Sequence, residues 1–461
     1  MELLIYNTLL KRQVIFKPID KEQIKMYVCG PTVYDHPHLG NARSIVVYDV
    51  LFRVLRRIYG EESVKYVRNI TDVDDKIIDR ARVLGISIEK LTTQTIEDFH
   101  QDTKYLNCLA PNEEPKATQH IEEMLAIIAK LIANNFAYVS KSGDVYFEVS
   151  KAQNYFALSN RTSEKAFLGS KIQDNLAKNN SEDFVLWKAD DDIDCSFSSP
   201  WGKGRPGWHI ECSAMSYKHL GENFDIHGGG ADLIFPHHTN EIAQSIAAFP
   251  GSTFANYWIH NGFLTVNGEK MSKSLGNFIT VKDLRDKKVS GEVVRLLLLS
   301  THYRKPLDYN NKALEDAKKM LHYWYLAIEE LELSINEYIE DNSFAPLLND
   351  LNTPLAIKQI NDLAKLIHAA NSIKSKTKYA EQMLAQAHFL GLLQCSAEDW
   401  FQSDQSDQKK AEIEKIIAAR NIAKKNKDWS QADLLRKQAK KLNALLIDKA
   451  DGTTTWQKIK N

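Results

Sequence analysis

Between residues 22 and 85 the chain alternates short apolar runs with long amphipathic stretches, and this alternation restricts the fold more than any other feature. Lys25-Met26-Tyr27-Val28-Cys29 reads as a strand, Gly30-Pro31 as the turn that leaves it, and residues 42–58 as a helix. Val64-Lys65-Tyr66-Val67-Arg68 is a second strand, and a second helix runs from Lys76 until Gly85 stops it. Strands joined by helices lie side by side as a parallel sheet with the helices on its faces. Residues from about 115 to 200 break this pattern. A helix near 121–134 is followed by Tyr138 to Phe147, which reads as a β-hairpin turning at Ser142-Gly143. This stretch is an insertion that splits the α/β domain, and the α/β pattern resumes near Trp208 and runs to about residue 310.

Beyond residue 310 the pattern becomes helical. Leu314, Ala317, Leu321, Trp324, Ile328, Leu331 and Ile335 recur at spacings of three and four, which makes one apolar stripe and a bundle core. The polar run Ser403-Asp404-Gln405-Ser406-Asp407-Gln408 cannot build a core and reads as a linker. Two helices, 411–425 and 430–446, and a hairpin at Asp451-Gly452 complete the chain. The net charge of −1 excludes a uniformly basic nucleic-acid binder, yet in residues 411–461 12 Lys/Arg stand against 6 Asp/Glu. A basic terminal module can meet phosphates while the remainder does not. The longest aliphatic run, residues 296–299, is far short of the ~20 residues a membrane span needs. The N-terminus carries no signal-peptide pattern. Five scattered cysteines suit a reducing cytoplasm.

Two short segments carry phosphate chemistry. His38-Leu39-Gly40-Asn41 sits between the first strand and the first helix, where free N–H groups and a positive dipole end suit a phosphate. Lys270-Met271-Ser272-Lys273-Ser274 places two lysines in a loop bounded by Gly268 and Gly276, where mobile cations can clamp developing charge. Cys29, Cys212, His237 and Glu241 supply two thiols, an imidazole and a carboxylate, a mixed donor set that suits Zn²⁺. On a helix opening after Pro236, His237 (i, i+4) and His238 (i, i+3) both reach the face of Glu241, so spacing does not choose between them. Gly202 to Gly207 satisfies G-x-G-x-x-G, but no β-run precedes it and Pro206 disfavours the helix turn, which excludes a dinucleotide loop. His227-Gly-Gly-Gly230 has no G-x-S-x-G to accompany it, and Asp72, Asp74 and Asp75 read as a hydrogen-bonded acidic turn. Cys108, Cys195 and Cys395 receive no role.

The segments Cys29-Gly-Pro-Thr-Val-Tyr34, Tyr66-Val-Arg-Asn-Ile-Thr-Asp-Val-Asp-Asp75, Gly207-Trp-His-Ile-Glu-Cys-Ser-Ala214, Phe224-Asp-Ile-His-Gly-Gly-Gly230, Phe235-Pro-His-His238 and Thr301-His-Tyr-Arg304 resemble the cysteinyl-tRNA synthetase family of class I aminoacyl-tRNA synthetases. The resemblance is dense from residue 22 to about 310 and looser beyond. It implies an α/β fold with a Rossmann-like catalytic domain in two halves, 1–115 and 201–310, a connective insertion at 116–200, an all-α, DALR-like tRNA-binding bundle at 311–400, and a small basic anticodon-recognition module at 409–461. It implies a Zn²⁺ held by Cys29, Cys212, His237 and Glu241, and L-cysteine bound through its sulfur with Thr71, Trp208 and His227 lining the pocket. ATP, with Mg²⁺, would meet His38, Gly40, Asn41 and Lys273 at its phosphates and Gly230 and Asp232 at its adenosine end, and Lys270 would stabilise charge beside His38. Asn41 stands where the family signature usually ends in histidine, which removes any proton-transfer role there. The implied protein is a cytoplasmic monomer, without membrane contact, that joins cysteine to tRNA-Cys. Two rivals are a ligase joining cysteine to an amino-sugar acceptor, which needs nothing after residue 310, and a catalytically silent zinc-stabilised RNA-binding protein, which needs no lysine loop.

Overall fold

The computed structural model describes residues 1–159, 178–190, 195–272, 275–331, 333, 341–403, 407–449 and 453–459. Met1–Leu314 with Glu340–Lys358 forms one compact unit, and Glu315–Ile339 with Gln359–Asn461 forms a second.

The first unit is organised by four strands, β1 (Ile24–Val28), β2 (Val64–Arg68), β3 (Asn223–Gly230) and β4 (Phe254–Asn261), in the order β4-β3-β1-β2 with all neighbours parallel. Tyr27 stands opposite Val67 on one side and His227 on the other, so the middle of β1 is fully buried. Helix α1 (Leu39–Tyr59) crosses from β1 to β2 and buries Val46, Val47, Val50, Leu51, Val54 and Leu55. The helix Asp75–Leu84 begins where the Asp74 carboxylate accepts from Lys76 N–H and ends where Gly85 takes a left-handed conformation. Helices α2 (Trp208–Leu220) and α3 (Thr239–Ala248) flank β3 in sequence. The chain leaves β1 towards β2 and later returns to β3 on the other side of β1. The strand order therefore reverses at the carboxyl end of β1, the place where open α/β sheets bind ligands.

Within the interrupting segment, the strands Ala137–Val139, Val145–Phe147, Phe184–Ala189 and Gly204–Pro206 form an antiparallel sheet. Its hairpin closes with Ser140 N–H donating to Asp144 C=O at 2.8 Å and Gly143 at a φ of 88°. The sheet reaches past residue 200, so Gly204, the middle glycine of residues 202–207, belongs to a strand pairing and not to a nucleotide loop. Leu186 and Trp187 of this sheet share a core with Tyr27, Ile210 and Phe224. The acidic turn is fully employed: Asp72 accepts from Thr118 N–H at 2.9 Å, and Asp75 pairs with Arg205 and with Lys188.

One buried ion pair clamps α1. Arg295, wholly buried, donates to Asp49, to Leu106 C=O at 2.8 Å and to Asn107 C=O at 3.2 Å. Asp49 also accepts from Arg53 at 2.8 Å and from Leu109 N–H at 2.7 Å. Arg295→Met removes the buried one of the two cations that Asp49 faces and takes the guanidinium from Leu106 C=O, while Arg53 still reaches Asp49 and Asn107 C=O. It should therefore destabilise the first unit by about 3 kcal/mol, read as a lower urea midpoint.

In the helical part the stripe from Leu314 predicts a longer helix than is found. The helix is Asn311–Ile328, with Ala317, Leu321, Trp324 and Ile328 buried; Leu331 lies beyond its end and Ile335 lies outside the described residues. Of the linker expected at 403–408, Ser403 ends one helix and Asp407 opens the next, Asp407–Lys425, while residues 404–406 lie outside the described residues. The last helix is Trp429–Lys441, and the predicted stretch to residue 446 is corrected: Ala444–Asp448 is a strand paired with Thr454–Lys458. Asn443 at φ 59° stops the helix in the left-handed conformation. The hairpin expected at Asp451-Gly452 has these two strands, although both turn residues lie outside the described residues.

Candidate functional site

Four chain segments converge at the carboxyl edge of the sheet. Cys29 follows β1 directly, Cys212 lies on α2, and Glu241 lies in the first turn of α3. His237 is not in that helix, as the sequence suggests, but in the wide turn Ile234–His238 ahead of it, after a cis Phe235–Pro236 bond. That turn carries the imidazole back over the helix start, and His237 Nε2 reaches Glu241 Oε1 at 3.0 Å.

The donor atoms outline a tetrahedron. A metal bound at about 2.3 Å to sulfur and about 2.0–2.1 Å to nitrogen and oxygen sets edges of about 3.8 Å between sulfurs and about 3.6 Å from sulfur to the lighter atoms. Cys29 Sγ lies 3.7 Å from Cys212 Sγ, 3.5 Å from His237 Nε2 and 3.5 Å from Glu241 Oε1. These residues thus fit a zinc ion by spacing and by donor chemistry. The neighbouring imidazole is engaged elsewhere: His238 Nδ1 is 2.8 Å from His260 Nε2, and its Nε2 is 3.9 Å from Glu241 Oε1. A second four-donor grouping, Cys29, His227, His238 and Glu241, is also within metal reach, but it forgoes the second thiol.

The surroundings orient these donors. His237 Nδ1 lies 2.9 Å from His209 Nδ1, and burial, with His237 beside it, brings His209 down to about 3, so a neutral His209 can accept a hydrogen bond from an Nδ1–H of His237. A ligating imidazole held through its other nitrogen in this way has a fixed tautomer. Trp208 stacks on the His237 ring at 4.2 Å. Glu241 Oε2 lies 2.8 Å from His227 Nε2, and His227 is stacked on Trp258 at 4.4 Å. Burial alone would raise the Glu241 carboxyl, but His227 and His237 hold it well below the usual carboxylate range. Burial pushes the Cys29 thiol up; against the same burial, hydrogen bonds from Cys29 and His237 bring Cys212 down to about 6. The Thr71 hydroxyl donates to Glu211 Oε2 at 2.8 Å.

At the start of α1, His38 is the cap. Its Nδ1 accepts from Asn41 N–H, and Asn41 Oδ1 accepts in return from His38 N–H, both at 3.2 Å. Asn41 therefore closes a reciprocal cap and leaves its amide N–H₂ to donate. Gly40 sits under the His38 ring, where a Cβ would stand 2.8 Å from Cε1 and 2.9 Å from Nδ1. The two signatures, distant in sequence, meet through the backbone: Leu39 N–H donates to Ile279 C=O and Val281 N–H to Pro37 C=O, both at 3.0 Å. Lys270 is exposed at the end of a strand paired with Leu264–Val266, Asn277 pins the loop through Ser272 N–H at 2.9 Å, and Lys273 lies outside the described residues. Gly230 ends β3 and Asp232 is exposed in the turn after it.

The family profile for tRNA synthetases class I (C) catalytic domain matches residues 15–319, and the DALR domain profile matches residues 345–394. The cysteine–tRNA ligase of Rickettsia felis is 56% identical over 98% of both chains, and that of Rickettsia bellii is 55% identical over 99% of this chain and all of its own. The chain belongs to the cysteine–tRNA ligase family. As a cysteine–tRNA ligase family member it is a class I aminoacyl-tRNA synthetase, and its fold agrees with that class. The Mycobacterium tuberculosis methionyl-tRNA synthetase with methionyl-adenylate superposes with a TM-score of 0.57 at 14% identity over 83% of this chain and 91% of its own. The leucyl enzyme of Agrobacterium radiobacter K84 in its ternary complex gives 0.56 at 10% identity over 85% and 86%.

Sequence reasoning missed several residues of this cysteine–tRNA ligase site. Asn69, at the end of β2, accepts from Gly30 N–H at 2.8 Å, lies 3.8 Å from Cys212 Sγ, and donates to Thr71 Oγ1 at 3.2 Å. His209 and Glu211 stand inside the Trp208-to-Cys212 segment already singled out, and only their neighbours were given roles.

Proposed function

We propose that the chain activates L-cysteine with ATP, forming cysteinyl-adenylate and pyrophosphate, and then transfers the cysteinyl group to the terminal adenosine of tRNA-Cys. The observation that carries the reading is the clustering of Cys29, Cys212, His237 and Glu241 at metal-ligand spacing. When bound there, Zn²⁺ supplies a Lewis acid that favours a thiolate over a serine hydroxyl. The residues around it orient the substrate: Trp208 holds the His237 ring flat, and His227 shares the charge of Glu241. That sharing leaves room in the charge balance for a further sulfur anion. Thr71 acts through Glu211 and Asn69 at the pocket wall.

ATP arrives as its Mg²⁺ complex, with its phosphates at His38, Gly40 and Asn41 and its adenosine end towards Gly230 and Asp232. The cysteine carboxylate attacks the α-phosphorus in line, a P–O bond forms, and the bond to pyrophosphate breaks. No protein group need accept a proton; His38, Lys270 and Lys273 position the phosphates and stabilise charge. The matching of a DALR domain profile at residues 345–394 favours tRNA over an amino-sugar acceptor. The two basic helices and hairpin after residue 406 read the anticodon. Among the described residues no helix is long and apolar enough to cross a membrane, and we place the protein in the cytoplasm as a monomer.

Cysteine-dependent exchange of pyrophosphate into ATP tests this reading; its absence with cysteine would overturn it. Gly40→Ala places a methyl group against the His38 ring, which must swing out of the phosphate site. The variant should lose about 10²-fold in kcat for exchange, the scale of an ångström-sized misplacement. Unchanged exchange would remove His38 from the phosphates.

A further inference from the structure

Arg43 lies one turn into α1, wholly buried, and among the described residues no carboxylate pairs with it. Burial pulls its pKa down to about 10, so it stays charged at neutral pH. Its guanidinium donates only to backbone carbonyls. Nη1 reaches Gly262 C=O at 2.9 Å and Phe263 C=O at 2.7 Å, and Nη2 reaches His302 C=O at 3.2 Å and Lys305 C=O at 2.5 Å. A buried cation without a counter-ion is costly, and a structural helix contact does not need one. Its geometry does: a planar fork meets two pairs of carbonyls from two different chain segments.

Those segments are the N-terminal root of the lysine loop and the segment that leads into the strand flanking that root. Gly262 and Phe263 lead directly into the strand Leu264–Val266, which pairs with Glu269–Lys270 on one side and with Leu307–Tyr309 on the other. His302 and Lys305 lead into Leu307–Tyr309. The segments approach so closely at Gly262 that a Cβ would stand 2.7 Å from Lys305 C=O, and Gly262 N–H donates to Tyr303 C=O at 2.7 Å. The flanking segment is itself fixed, because Asp350 accepts from Tyr303 Oη and from Arg304 Nε, both at 2.7 Å. Arg43 stands on the helix that starts at His38, so one rigid element carries both the His38 cap and the grip on the loop's base.

We infer that Arg43 is a positioning residue for adenylate formation, which sets the root of the strand pair that carries Lys270 at a fixed distance from His38 so that both act on the phosphates of one ATP. The inference rests on the activation chemistry proposed above. The zinc donors hang on the end of β1, on α2, in the turn before α3 and in the first turn of α3, and none of the four carbonyls that Arg43 binds belongs to these elements. Loss of the fork should therefore loosen the lysine loop and spare cysteine binding.

The test uses the full-length protein with Arg43→Lys, which keeps the charge but cannot span four carbonyls, and Arg43→Met. Hydrogen–deuterium exchange requires no substrate: residues 264–272 should exchange at least ~10 times faster in the Lys variant, with residues 223–230 unchanged. In cysteine-dependent pyrophosphate exchange, kcat should fall about 10²-fold while KM for cysteine stays within about 2-fold. Wild-type protection at 264–272, or protection lost equally at 223–230, overturns the inference. So does a kcat equal to wild type. If the wild-type protein shows no cysteine-dependent exchange, the proposed activation fails, and the hydrogen-exchange result still decides the grip of Arg43 on the loop.

Discussion

Cys212→Ser should lower kcat/KM for cysteine in pyrophosphate exchange by at least ~10³-fold and lower bound zinc in parallel. Cys212 is buried, stands 3.7 Å from Cys29 and lies in contact range of Asn69. The hydroxyl fits the space but is a poor ligand at neutral pH, so the tetrahedron keeps one thiolate instead of two. The substrate sulfur then has no metal partner held in place. Discrimination against serine should collapse as well. A site built to bind one functional group rejects its analogue by ~10⁴–10⁵, whereas shape alone separates close isosteres by only ~10². Treating the wild-type protein with a chelator should reproduce the loss, and added zinc should restore it in the wild type alone. Retained discrimination in a zinc-free protein would show that the pocket, not the metal, selects cysteine. Asn69→Ala provides the contrast: it leaves all four donors and should weaken zinc retention by only 10–100-fold, the usual effect of an outer-shell partner.

The parts of this structure that are legible in the sequence are those set by local periodicity. The strands around Tyr27 and Val67, the helix stopped by Gly85 and the hairpin at Gly143 each follow from a short run of residues whose pattern has one good solution. The C-terminal misreading has the opposite cause. Residues 442–447 are apolar enough for helix or strand, and Asn443, a recognised helix stop, received too little weight; pairing with Thr454, Thr455 and Trp456 then decided the matter. The site divides along the same line. Thiol, imidazole and carboxylate types suggest a metal, but His237 and His238 share a face of Glu241 in any regular helix. The choice depends on the wide turn at residues 234–238 and on His260, which stands on a different strand and occupies His238. Asn69, His209 and Arg43 are invisible for a related reason. Each acts through contacts that only the sheet order or the packing of α1 creates, and none carries an unusual residue type at an unusual spacing.

The second large effect expected of this protein separates its two reactions. Ending the chain after Ser403 removes the helices Asp407–Lys425 and Trp429–Lys441 and the terminal hairpin, which share a core of Ile413, Ile417, Ala439, Ala444, Leu446 and Trp456. Arg420 binds Asp448 through both oxygens at 2.7 and 2.9 Å, so the module is held by its own interactions. Its strand Thr454–Lys458 packs against the remaining helix Ala397–Ser403, and an exposed pair, Lys449 with Glu398 at 3.5 Å, adds little. The truncated protein should therefore keep cysteine-dependent pyrophosphate exchange within about 2-fold of the full chain, because His38, the lysine loop and the zinc donors are untouched. Charging of tRNA should fall by about 10²–10³-fold, since each lost base contact costs ~1–3 kcal/mol and the module is proposed to read several. The salt dependence of charging should fall as well, because the basic residues after 410 release counterions when they meet the tRNA backbone. Charging that survives truncation with an unchanged salt slope would assign the module to stability and leave anticodon reading to another part of the chain.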